Sequence, residues 1–140
     1  MSGKFFLDTN IFVYSFDKGV PAKARTSSLL IRQALATHKG VVSYQVVQEF
    51  LNIALKRFTQ PMTTADAEQY LSSVFRPLLA VHSSHGLYIE ALRLQERHRL
   101  SWYDSLIVAG AIEAECEVLY SEDMQHGKKF GSLQINNPYL

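Results

Sequence analysis

The chain has 140 residues, 47% of them hydrophobic and 19% charged, with a net charge of +1 and a single cysteine, Cys116. That is the size and composition of one folded domain over residues 1–140, and it excludes a disordered chain, a disulfide framework and a strongly basic binder of extended nucleic acid. No apolar run approaches membrane-spanning length and the first residues lack a signal-peptide stretch, so a cytoplasmic setting with no membrane is the expectation.

Lys4 to Leu7 is a short apolar run that reads as a buried strand, and the Asp8-Thr9-Asn10 that follows opens a helix over Ile11 to Phe16. A second helix is predicted from Pro21 to His38, with Leu29, Leu30, Ala34 and Leu35 inward and Gly40 as its stop. Val41 to Ser43 forms the next strand. From Tyr44 to Phe58 the apolar residues Val46, Val47, Phe50, Leu51, Ala54, Leu55 and Phe58 recur at three-and-four spacing, the pattern of an amphipathic helix. Thr63 and Asp66 have the form of a capping box opening a helix towards Phe75, closed by Pro77. Leu78 to Val81 is a strand, Ser84 to His98 a helix, and Ser101 to Glu115 a helix whose Leu106 to Ile112 segment is apolar all round and therefore interior. Val118 to Tyr120 is a strand ending in Ser121-Glu122-Asp123, and Leu133 to Ile135 adds a fifth.

Strands alternating with helices imply an α/β fold: a three-layer sandwich with a central parallel sheet of four to five strands flanked by helices. Ligands of such sheets bind beyond the strands' carboxyl ends, where Asp8 and Asp123 fall. Asp104 begins the helix feeding the strand that carries Asp123, and Glu49 lies off the centre of its helix's apolar stripe. Each acid has a plainer role open to it: Asp8 as a helix cap, Glu49 as a solvated surface residue, Asp104 as a capping partner of Ser101, Asp123 as a turn residue. Thr9 and Asn10 can also cap, which frees Asp8 to face the crevice. Glu122 is an alternative to Asp123 as the inward carboxylate. Gathered together, four carboxylates repel one another and suit a hard divalent ion such as Mg²⁺ or Mn²⁺.

Four phrases, Phe6-Leu-Asp-Thr-Asn10, Val47-Gln-Glu-Phe50, Tyr103-Asp-Ser-Leu-Ile107 and Leu119-Tyr-Ser-Glu-Asp123, occur in an order that resembles the PIN-domain family, and the chain's size resembles its VapC-type ribonuclease toxins. The resemblance implies that Asp8, Glu49, Asp104 and Asp123 are the metal-binding, catalytic acids. Thr9, Asn10 and Ser121 take supporting roles in it, fixing carboxylate rotamers by hydrogen bonds. It further implies a PIN-like fold, hydrolysis of RNA with Mg²⁺ or Mn²⁺ as cofactor, a homodimer, and a cognate antitoxin protein that enters the crevice. Met124-Gln-His-Gly127 departs from the family, many of whose members have an aromatic residue two positions after the fourth acid.

On this view the leading function is a metal-dependent endoribonuclease, the toxin of a type II toxin-antitoxin pair. No side chain acts as covalent nucleophile, so Cys116 is dispensable. His126, Lys128, Lys129 and Lys56 are candidates to grip RNA, whereas His82, His85 and His98 have no spacing suited to a metal. Phe12, Tyr14 and Phe16 either line the antitoxin groove or belong to the core. Two other classes compete: a catalytically silent PIN-like module binding RNA or protein, and a phosphohydrolase or receiver-like domain with Asp8 as nucleophile or phosphoacceptor. The latter normally has a second acid beside the first, which Asp-Thr-Asn lacks.

Overall fold

A computed structural model describes residues 2–140. Its strands are β1 (Phe5–Leu7), β2 (Gly40–Ser43), β3 (Leu79–Val81), β4 (Val118–Tyr120), β5 (Lys129–Phe130) and β6 (Leu133–Asn136). The helices are α1 (Thr9–Tyr14), α2 (Pro21–Thr37), α3 (Tyr44–Lys56), α4 (Thr64–Tyr70), α5 (Arg76–Leu78), α6 (His85–His98) and α7 (Trp102–Glu113), with a π-helical turn at Leu71–Phe75. The sheet runs in the order β3-β2-β1-β4-β6-β5. All neighbours are parallel except β5, which pairs antiparallel with β6 through Lys129↔Gln134 and Phe130↔Leu133. The sheet thus has one strand more than expected, a two-residue strand made possible by a tight turn in which Gly131 adopts φ +62°.

Consecutive residues of β1 show how the layers form, because side chains alternate across a strand. The Phe5 ring lies against Gly40 beneath Ala34 of α2, whereas the Phe6 ring lies beside Gly110 of α7. Helices α1 and α3 pack with α2 on the first face, and α6 packs on α7 over the second. Phe6, Leu7, Ile11, Phe12, Val42, Phe50, Val108, Leu119 and Ile135 are all essentially inaccessible to solvent, which makes one continuous core through both layers. Helix α7 is buried from Ile107 to Ala111, as its apolar sequence requires.

Gly40 does not stop α2. The helix ends on His38, which takes the left-handed conformation at φ 60°, and Gly40 starts β2. Glycine is needed there for contact: a Cβ would stand 2.1 Å from the Ala34 Cβ and 2.7 Å from its Cα. Pro77 does not close the helix before it either. The ladder widens into the π-helical turn, with the Arg76 N–H bonding the Leu71 carbonyl, and helical geometry continues through Leu78. A proline has no N–H and its ring presses on the preceding turn, so a widened turn ahead of it accommodates both effects.

From β1 the chain moves outward to β2 and β3, then returns to the other side of β1 with β4 and β6. The direction of winding therefore reverses between β1 and β4, which opens a crevice at their carboxyl ends.

Candidate active site

The four acids reach that crevice from four elements. Asp8 follows β1, Glu49 lies on the second turn of α3 after β2, Asp104 is in the first turn of α7, and Asp123 follows β4. The starts of α3 and α7 are tied together where the Gln45 Nε2 donates to the Tyr103 carbonyl at 3.2 Å.

Asp8 is itself the N-cap of α1. Its Oδ1 accepts the Thr9 N–H at 2.7 Å and its Oδ2 accepts the Ser121 hydroxyl at 2.8 Å. Thr9 and Asn10 therefore do not relieve it of capping; they are the first helical residues, and their side chains serve the other acids. The Thr9 hydroxyl donates to Glu49 Oε1 at 2.9 Å. The Asn10 amide donates to both oxygens of Asp123, at 3.1 and 3.0 Å. Ser121, fully buried, also accepts the Asp123 N–H at 3.2 Å. One chain of hydrogen bonds thus joins Glu49, Thr9, Asp8, Ser121, Asp123 and Asn10. The sequence expected Glu49 to have a solvated alternative; the side chain is half-buried and held by Thr9.

Asp104 is the least encumbered. Ser101 caps α7 by accepting the Asp104 N–H at 3.1 Å, but the carboxylate makes no return bond, unlike the reciprocal box of Thr63 and Asp66. Glu122 points elsewhere: it pairs with Lys23, the one ion pair among the described residues.

Electrostatics mark the cluster as short of positive charge. Burial raises the Asp8 carboxyl to about 7 against the hydrogen bonds from Ser121 and Thr9, and the charges of Asp123 and Glu49 push it the same way. Burial also raises Glu49, where the charges of Asp104 and Asp123 add and the Thr9 bond opposes. For Asp123 burial comes first, then the charges of Asp104 and Glu122, with Asn10 opposing. Only neutral donors hold the carboxylates, and a divalent cation with oxygen ligands is the group that this donor set fits. As placed, no three His, Cys, Asp or Glu side chains among the described residues stand close enough to share an ion. Holding one draws the carboxylates inward from their present hydrogen bonds. A further polar atom lies nearby in the sheet: the Ser43 hydroxyl, buried at the carboxyl end of β2, has no hydrogen-bond partner.

The proposed basic grip is only partly here. His126 is engaged, its Nδ1 accepting the Asn137 N–H at 2.9 Å. Lys128 lies over the Phe130 ring at 5.2 Å. Lys129 lines a cavity of about 910 Å³ with Arg97, His98, Cys116 and Glu117, at the amino ends of the strands and so on the opposite side from the acids. Lys56 ends α3. His82 packs edge-on to Tyr44 and His98 to Phe130. Phe12 is wholly core, whereas Phe16 is 41% exposed and lines a separate pocket of about 460 Å³ with Phe58, Met62 and Tyr70. In sequence Lys23 is one of several scattered basic residues, and nothing local distinguishes it from other surface lysines.

Residues 5–129 match the model of the PIN domain. The chain belongs to the PIN-domain family. No curated protein sequence matches it. Solved structures with a similar PIN fold include a toxin-antitoxin complex from Klebsiella pneumoniae, with TM-score 0.66, 19% identity and coverage of 97% of this chain and 98% of that one. Another is VapC20 of Mycobacterium tuberculosis, a toxin that cleaves the sarcin-ricin loop, with TM-score 0.61, 21% identity and coverage of 86% and 90%. A third is VapBC2 of Rickettsia felis bound to a promoter DNA fragment, with TM-score 0.60, 19% identity and coverage of 94% and 96%. At these identities the likeness is one of fold, and the parallel sheet between helical layers is the PIN architecture. Among the described residues no helix is long and apolar enough to cross a membrane.

Proposed function

We propose that residues 1–140, as a single PIN-like domain, form a cytoplasmic, metal-dependent endoribonuclease that is the toxin of a type II toxin-antitoxin pair. The observation that carries this is the gathering of Asp8, Glu49, Asp104 and Asp123 at one crevice with no cationic partner among them. These four would hold Mg²⁺ or Mn²⁺, which supplies Lewis-acid activation of water and neutralises charge at the phosphodiester. Thr9 and Ser121 hold the Glu49 and Asp8 carboxylates at the crevice through neutral hydroxyls, which leaves the negative charge for a cation to offset. Asn10 holds Asp123 by both oxygens until then. With no cation bound, Asp8 is about half protonated near pH 7, which limits repulsion inside the cluster. By family analogy the products carry 5′-phosphate and 3′-hydroxyl ends, the working form is a homodimer, and an antitoxin protein occupies the crevice in the resting complex.

The test is incubation of the purified chain, free of any partner, with single-stranded and structured RNA in Mg²⁺, Mn²⁺ or EDTA. A sarcin-ricin loop RNA belongs in the panel because a protein of similar fold cleaves it. Cleavage in metal, lost in EDTA and in Asp8→Asn and Asp104→Asn, is the expected result. Cleavage that survives both treatments overturns the proposal, and binding without cleavage favours a silent RNA-binding module.

A further inference from the structure

Two adjacent carboxylates, Glu122 and Asp123, follow β4, and the fold sends them to different partners. Asp123 goes to Asn10 of α1. Glu122 goes to Lys23 of α2, ninety-nine positions away in the chain. The ammonium of Lys23 sits in a cradle of two tyrosines, 4.5 Å from the centre of the Tyr14 ring and 5.3 Å from that of Tyr139. Those rings meet edge to face at 5.3 Å. The cradle is braced in turn: the Tyr139 and Ser27 hydroxyls are 2.6 Å apart, and the Tyr139 N–H donates to Asn137 Oδ1 at 3.0 Å. Three segments, α1, α2 and the residues after β6, thus converge on one lysine.

Helix stability does not explain that lysine. It lies in the first turn of α2, which contains no acidic residue, and a cation at a helix amino end opposes the macrodipole. An ion pair that stays in contact with solvent, as this half-buried one does, adds little to folding by itself. What the position does accomplish is to hold Glu122, and Lys23 followed by the Tyr14 hydroxyl keeps that carboxyl below its usual range. The charge of Glu122 still reaches Asp123 and raises it.

We propose that Lys23 is a positioning residue that withdraws Glu122 from the acidic crevice, so that the loop after β4 presents Asp123 alone. This rests on the metal-dependent nuclease assigned above. Without Lys23, Glu122 keeps only the neutral Tyr14 hydroxyl, and a fifth carboxylate can turn towards the cluster. It then offers a cation a competing ligand, and it repels the phosphates of the substrate.

The two effects have opposite signs, which makes them measurable. Mn²⁺ binding by titration calorimetry and RNA cleavage are followed in wild type, Lys23→Met, Lys23→Arg, Glu122→Gln and the Lys23→Met/Glu122→Gln double variant, with thermal unfolding to verify each fold. Lys23→Met is expected to bind Mn²⁺ about threefold more tightly and to cleave about tenfold more slowly. The double variant returns both quantities to within about threefold of wild type, and Lys23→Arg retains both. Lys23→Gln replaces Lys23→Met if the methionine variant unfolds. A double variant as slow as Lys23→Met overturns the proposal, because Lys23 then serves the substrate or the fold directly. So does a Lys23→Met protein indistinguishable from wild type. Wild-type protein that neither binds Mn²⁺ nor cuts RNA brings down the nuclease assignment as well, whereas an active wild type with an unaffected Lys23→Met removes the positioning role alone.

Discussion

Asp8→Asn is expected to stabilise the metal-free protein while abolishing its activity. Asp8 is buried, and its carboxyl is raised from 3.8 to about 7. A carboxyl raised on folding holds its proton more tightly in the folded state. The stability that Asp8 contributes is therefore full below pH 4, falls as pH rises from about 4 to about 7, and levels off above that. The loss is 7 − 3.8 = 3.2 in pKa, or roughly 4 kcal/mol by alkaline pH. Asparagine is nearly isosteric: its carbonyl can accept the Thr9 N–H, and the Ser121 hydroxyl can accept from its amide. For a chain of this length roughly 4 kcal/mol is on the order of 10 °C in Tm. The assay is thermal unfolding in EDTA from pH 4 to 8.5. Wild type is expected to lose Tm across that range and the variant to lose less, the remainder coming from Glu49 and Asp123, with the gap widening towards pH 7 and constant beyond. Saturating Mg²⁺ should close the gap by stabilising wild type alone. A variant less stable than wild type at pH 8 in EDTA, or a gap independent of pH, would refute the reasoning.

Asp104→Asn leaves the carboxylate's capping neighbour intact, so cleavage should fall by on the order of 100-fold in single-turnover kinetics with little change in Tm. Thr9→Val removes the Thr9 donor to the half-buried Glu49 carboxylate; a loss of about 1–3 kcal/mol in urea unfolding is expected, smaller at pH 5 than at pH 8 because Glu49 is already raised. Cys116→Ala should cleave RNA as wild type does, and native protein should resist alkylation, since burial pushes the thiol up to about 12. Gly40→Ala drives a methyl into the backbone of α2 and should cost about 3 kcal/mol or more, read as a shift in the urea midpoint at constant slope.

The layers and the ends of the strands were legible in the sequence because apolar runs and helical stripes are local signals. Asp8 and Asp104 could be placed by the same logic, at a strand tip and a helix start. Glu49 could not, since its helical neighbours Gln45, Asn52 and Lys56 look solvated; it is the hydroxyl of Thr9, forty positions earlier, that brings it into the cluster. The choice between Glu122 and Asp123 was likewise closed to sequence, because it turns on Lys23 and Asn10, each about a hundred residues away. The capping role of Asp8 was misjudged for a related reason. Three consecutive residues all suit an N-cap, and which one takes it depends on where the other two find partners. The antitoxin-facing role considered for Phe12 yields to the plain fact that its ring is surrounded by Phe50 and Phe75.

The reversal of winding between β1 and β4 also sets when the crevice can exist during synthesis. Asp8 and Glu49 lie in the first half of the polypeptide, but the strand that forms the other wall spans Val118–Tyr120, and the serine that locks Asp8 comes after it. A ribosome-bound fragment ending short of that point has neither the wall nor the lock. On this topology a translation product ended before Val118 presents Asp8 and Glu49 without the Asp123 side of the crevice and without the Ser121 hydroxyl.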